Sequence, residues 1–141
     1  MTKVDFYLLG TDGDSRERIA CRLAEKAWRL GNRVYLLAPD KPAAQELDDL
    51  LWTFSQGSFV PHAVCGQDVD ADVHPVLIGH AEPPAALSDV LISLSPDVPA
   101  WFSRFTRVAE LVGTTEDDKA RGRDHYRFYR ERGYPLETHN L

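Results

Sequence analysis

Lys119, Arg123, Tyr126 and Arg130 recur at three- and four-residue spacing near the end of the chain. In a helix such positions fall within about 60° of one another, because each residue advances about 100°. The pattern makes a cationic stripe with an aromatic ring inside it. Residues 119–133 hold six basic side chains against Asp124 and Glu131, so this segment carries +4 while the rest of the chain carries −10. A compact basic face on an acidic protein implies a local anionic partner: a phosphate, a nucleic acid or an acidic peptide. The forks of Arg123 and Arg130 suit carboxylates, a chain-terminal one in particular. Tyr126, with Val112 at the end of the preceding strand, offers walls for a small apolar pocket. The ligand that fits is a short acidic peptide ending in a hydrophobic residue and a free carboxylate. Direct single-stranded DNA binding through the same helix is the rival, and it asks for more basic surface than a net charge of −6 provides.

A second group of residues has different chemistry. The segment from Trp52 to His62 contains Trp52, Phe54, Phe59 and Val60 and is unusually aromatic for a connection. Such rings either close the lower edge of the core or form an apolar patch for a partner's helix or strand.

Catalytic patterns are missing. The turn after the first strand reads Gly10-Thr11-Asp12-Gly13-Asp14. It matches neither the dinucleotide fingerprint nor the phosphate loop, and its carboxylates repel pyrophosphate. A metal- or nucleotide-dependent hydrolase using Asp12 and Asp14 is the enzymatic alternative. His62, Cys65, His74 and His80 do not have the spacing of a zinc site. There is no nucleophile elbow. The sequence thus points to no cofactor, no metal and no catalytic residue.

The elements that must position these residues follow from periodicity. Val4–Leu9 and Val34–Ala38 read as buried strands, and apolar residues from Ile19 to Leu30 and from Leu47 to Phe54 read as helices. Asp14 with Glu17 forms a candidate capping box for the first helix, and Gly31 ends it. Asp40 and Pro42 begin the second. Residues 55–74 show no periodicity. Val76–Gly79, Val90–Leu94 and Phe105–Val112 are further strands, with a helical turn at Pro99–Phe102. Thr114, with Asp117 three residues later, caps a last helix that Gly133 and Pro135 stop. Alternation of strands and helices predicts one domain over residues 1–141: an α/β, Rossmann-like, mostly parallel sheet flanked by helices, without a dinucleotide site. With 27% charged and 43% hydrophobic residues, two cysteines and no long apolar run, the expected setting is cytoplasmic, with reduced thiols and no membrane contact.

Several segments together resemble a known family. They are Phe6-Tyr7-Leu8-Leu9, Ala27-Trp28-Arg29 leading to Gly31 and Arg33-Val34, and Leu47-Asp48 running to Leu51-Trp52. Ser58-Phe59-Val60-Pro61-His62, Asp89-Val90-Leu91-Ile92-Ser93-Leu94 and Arg123-Asp124-His125-Tyr126-Arg127 with Tyr129-Arg130 complete the set. Their order and spacing are similar to the chi subunit of bacterial DNA polymerase III, over nearly the whole chain. The resemblance implies a Rossmann-like accessory protein without activity of its own. It implies two partners: the psi subunit, and through it the clamp loader, and the acidic, Phe-terminated C-terminal tail of single-stranded-DNA-binding protein. Matched position by position, the tail site falls on Lys119, Arg123 and Tyr126, with Val112 nearby and Arg127 or Arg130 as a further cation. The site for psi, or for a helicase that competes with it, falls on Trp52 and Phe59, with Val60 beside them. Gly122 departs from expectation, since it interrupts the last helix where a better helix former would stand.

Overall fold

The computed structural model describes the chain except for Met1, Asp12, Gln56, Ser58 and residues 66–73. Its frame is a seven-stranded sheet in which every neighbouring pair is parallel. The strands are β1 (Lys3–Leu8), β2 (Val34–Leu37), β3 (His62–Val64), β4 (Val76–Gly79), β5 (Val90–Ser93), β6 (Arg107–Val112) and β7 (Leu136–Asn140). They lie in the order β3-β4-β2-β5-β6-β1-β7. The central strands β2, β4 and β5 are buried at every residue. That is why their sequences are continuous apolar runs instead of alternating ones.

Helices cover both faces. On one face α1 (Arg16–Arg29) and α2 (Lys41–Thr53) bury Ala20, Cys21, Ala24, Ala44, Leu47 and Leu51 against Val34, Leu36 and Ile92. On the other, α3 (Glu116–Glu131) and the short 3-10 turn Phe102–Arg104 pack on Val4, Phe6, Tyr35, Leu91 and Val108. Alternate residues of one strand serve opposite layers, as Leu36 and Tyr35 do.

Local chemistry explains the element ends. Ser15 caps α1 by accepting from the Arg18 N–H, so the cap lies one residue beyond the expected Asp14. Asp14 is engaged by Arg18 and Arg22 instead. Thr115, not Thr114, caps α3 through the Asp118 N–H at 3.0 Å. Asp40 caps α2 as read, accepting from the Ala43 N–H at 2.9 Å. Gly31 and Gly133 follow α1 and α3 with φ of 91° and 79°. At each, two backbone N–H groups fold back onto the last-turn carbonyls, for example Tyr134 to Tyr129 and Gly133 to Arg130. This closure needs the left-handed conformation that glycine adopts without strain.

Two strands lie where none was predicted. β3 sits in the aperiodic stretch 55–74, of which residues 66–73 fall outside the described residues. β7 follows Pro135 and pairs with β1 in register, Phe6 opposite Thr138. The helical turn near Pro99 begins at Phe102, later than expected. No helix among the described residues is long and apolar enough to cross a membrane.

Candidate functional site

The basic stripe lies on α3, and the way α3 docks decides where it faces. Only His125 and Tyr129 of this helix are buried. Both reach Glu110 on β6, which is 4% exposed. The Tyr129 hydroxyl donates to Glu110 Oε2 at 2.8 Å, and His125 Nδ1 donates to Oε1 at 3.0 Å. The other ring nitrogen, Nε2, donates to the Pro96 carbonyl at 2.9 Å. Two acceptors at one ring require both nitrogens to carry protons. Burial disfavours that charge, but the hydrogen bond and charge of Glu110, with the Pro96 carbonyl, outweigh it and raise the His125 pKa. Burial, together with Glu110, pushes the Tyr129 pKa up, so the hydroxyl stays a donor. Edge-to-face packing of Tyr129 on Phe102 at 5.1 Å completes the anchorage.

With His125 and Tyr129 turned toward β6, the neighbouring helix face overlooks β1 and β7. A hollow of about 320 Å³ lies there. Its walls include Val112, Lys119, Arg123 and Tyr126 of the expected site, together with Phe6, Leu8, Leu9 and Thr138. Tyr126 packs on Phe6 with ring centroids 5.3 Å apart. Arg130 does not line the hollow; its guanidinium carbon lies 5.9 Å from the Tyr126 ring centroid, a cation–π contact. Arg127 stands outside too, exposed and 3.7 Å from Asp124. Among the described residues, the ion-pair partner of Lys119 is exposed Glu116 at 4.0 Å. Arg123 is exposed, with no hydrogen bond or ion pair to another described residue. The site therefore presents an apolar floor and two cations at its rim, one of them uncommitted.

Gly122 explains itself here. A Cβ at that position would lie 2.9 Å from Val112 Cγ2 and 3.0 Å from Cγ1. The helix approaches β6 so closely that only glycine fits, and β-branched Val112 is stiff about χ1. Gly122→Ala would gain about 1 kcal/mol in an unhindered helix. Here we expect no rise in the thermal midpoint, and a displaced Val112 that narrows the hollow. A midpoint raised by that full amount would show that the space exists.

The second group is divided by the structure. Trp52 and Phe59 are 54% and 60% exposed, with ring centroids 5.6 Å apart. Val60 is not on that surface: it is 1% exposed and packs in the α1–α2 core layer. The apolar side chain next to Phe59 is drawn inward because the backbone there enters β3. His62 braces the patch from beneath. Its Nδ1 donates to the Val60 carbonyl at 2.6 Å, and its ring lies 4.5 Å from that of Trp52.

A second hollow, of about 350 Å³, lies at the Gly10–Asp14 turn between the starts of α1 and α3. Asp14, Glu17 and Asp118 outnumber Arg16 among its walls, so its net charge is wrong for a phosphate. Asp12 lies outside the described residues. Among the described residues, His62, Cys65, His74 and His80 form no common ligand group. Ligand-capable atoms converge instead at Asp5, Glu137 and His139. Lys3 and Arg107 already occupy those carboxylates. Cys21 is buried, which pushes its thiol up to about 12, and burial also raises Cys65. Neither is an activated thiolate.

Sequence reasoning missed Thr138, Phe6 and Leu8 as parts of the hollow. The β1 residues carried only a core-strand signal. Thr138 carried none, because which strand lies beside β1 is not written in local sequence.

Comparison with known proteins bears on this arrangement. A family model described as DNA polymerase III chi subunit, HolC, matches residues 1–137. The chain is 46% identical over 142 residues to the DNA polymerase III subunit chi of Pseudomonas aeruginosa, covering 100% of this chain and 98% of the relative. It is 30% identical over 143 residues to the DNA polymerase III subunit chi of Escherichia coli, covering 98% and 97%. Among solved structures, the crystal structure of T4 UvsW superimposes with a TM-score of 0.66 at 10% identity. That match covers 99% of this chain and 42% of the other, a likeness of fold alone.

Proposed function

The chain belongs to the family of DNA polymerase III chi subunits, replication accessory proteins, and on that premise we propose that it is a non-catalytic linker. One end of the link is the acidic C-terminal tail of single-stranded-DNA-binding protein. The other is the psi subunit of the clamp loader, or a helicase that shares its site. The observation that carries the reading is the hollow between α3, β1 and β7, where an apolar floor lies beneath Lys119 and Arg123. An aromatic C-terminal side chain fits the floor of Val112, Phe6 and Tyr126. The carboxylates of an acidic tail fit the rim, where Arg123 is free to form a bidentate pair. Arg130, held over Tyr126, and exposed Arg127 supply further positive charge along the same helix. Trp52 and Phe59 give the second partner two exposed rings, the residue type that anchors interfaces, with His62 packed against Trp52 and Val60 in the core layer.

Titration calorimetry with a synthetic acidic peptide ending in Phe tests the reading. The free-carboxylate form is expected to bind about tenfold or more tightly than its C-terminal amide, the worth of one charge-assisted hydrogen bond. Equal affinity of the two forms would refute a carboxylate-reading pocket.

A further inference from the structure

The strand that walls the hollow is also an open edge of the sheet. β7 is the last strand in the order and pairs only with β1 among the described residues. The ladder fixes which groups are spent. The Val4 N–H donates to the Pro135 carbonyl and the Leu141 N–H donates to the Leu8 carbonyl, each at 3.0 Å. In a parallel pair the bonding residues alternate along the strand. Residues 135, 137, 139 and 141 therefore face β1, while Leu136, Thr138 and Asn140 turn their N–H and C=O groups outward. Thr138 is at once a wall of the hollow and the middle of this unpaired row.

The usual guards of an edge are missing from it. No proline interrupts β7. Its one carboxylate, Glu137, is held at 2.6 Å by Lys3. Its histidine, His139, is turned to Asp5 at 3.0 Å and stacks on Tyr7. The cationic face of α3 overlooks the same strand. From Lys119 to Arg130 that face spans about 16 Å at 1.5 Å per residue. The five residues of β7 span about the same length at 3.3 Å per residue.

We infer that an acidic peptide whose terminus fills the hollow continues as an added strand on the free edge of β7, pairing with the backbone of Thr138 and its neighbours beneath the α3 cations. The inference rests on the proposed tail site and assigns the part of the partner that lies upstream of its terminus. Charge chooses this occupant, because an extended acidic segment meets Lys119, Arg123 and Arg130 along its length. Backbone pairing at an edge is tolerant of sequence. The upstream segment thus needs only to be acidic, extended and free of proline.

Amide hydrogen exchange by NMR on the whole chain tests this. The probe is an acidic peptide of about ten residues ending in Phe, long enough to fill the hollow and run one strand's length. A four-residue version with the same terminus serves as control. The long peptide is expected to slow exchange at the Thr138 and Asn140 amides about tenfold or more, and the short one to leave them unchanged. Asn140→Pro, at an outward position that is not a wall of the hollow, removes an outward N–H and leaves the β1 ladder complete. It is expected to weaken the long peptide about three- to tenfold, the worth of one backbone hydrogen bond, and not the short one. Asn140→Ala, which keeps the N–H, is expected to bind both as the parent does. Binding of the long peptide without protection would overturn the strand and spare the tail site. No binding of either peptide would overturn both. Protection that rises with protein concentration alone would assign the edge to a second copy of the chain and overturn the inference.

Discussion

Glu110→Ala is expected to lower the free energy of unfolding by about 3–5 kcal/mol, the usual cost of removing one partner from a buried ion pair. The loss is large because Glu110 is the shared acceptor for the only two buried side chains of α3. Without it, the His125 ring and the Tyr129 hydroxyl are left inside with unmet protons, and each such group is costly. The apolar hold on α3 comes from the rings of Tyr126, Phe128 and Tyr129, and its remaining faces are charged. Urea unfolding should show an earlier midpoint, and the tail peptide should bind more weakly because the helix carries one wall of the hollow. An unchanged midpoint would mean that α3 is held by something other than this network.

The same network sets a pH dependence. The His125 pKa is raised in the fold above its ordinary 6.5. Its contribution is therefore complete below about 6.5 and is lost as the pH rises through the higher folded value. The urea midpoint should fall over that alkaline-side window in the parent protein, and Glu110→Ala should flatten the fall. A midpoint that rises there would reverse the assignment of charge to His125.

Arg123→Ala is expected to cost about 1.5–3 kcal/mol of tail-peptide binding, the range for a hydrogen bond to a charged group. Arg123 is the rim cation with no prior commitment to a described neighbour. Its whole fork is free for a carboxylate, and no existing pair must break first. Arg123→Lys should recover only part of the loss, because an ammonium cannot make the bidentate pair. Stability should barely change, since the side chain is exposed. Calorimetry on the two variants measures the first effect and a urea melt the second. Full retention of affinity in Arg123→Ala would remove this residue from the site.

How much of this was legible in advance differs by element. β2, β4 and β5 were readable because a strand buried on both faces is a short apolar run, such as Val34-Tyr35-Leu36-Leu37. α1 and α2 announced themselves by apolar spacing, and Asp40 caps α2 as read. The caps of α1 and α3 fell one residue away, on Ser15 and Thr115, where a side-chain oxygen could reach the right N–H. β7 was illegible. Leu136-Glu137-Thr138-His139-Asn140 is a mostly polar edge strand, and its order comes from pairing with β1, far away in the chain. Val60 misled because an apolar residue beside two exposed rings looks like one of them, and only the backbone's entry into β3 turns it inward. Gly122 looked like a flaw in a helix until the valine opposite it was in place.

By itself the sequence determined the periodic elements, the parallel α/β class, and the charge separation that gathers cations onto the last helix of an acidic chain. Those properties are local: they depend on side-chain type and on spacing within one element. Tertiary structure alone decided that Glu110 would fix the roll of α3 about its axis. It alone decided that Val112 and Phe6 would lie beneath Lys119 and Arg123, and that a polar final strand would wall the hollow. Each of these is a meeting of residues distant in the chain, settled by which buried groups must be satisfied together, and no window of sequence contains both partners.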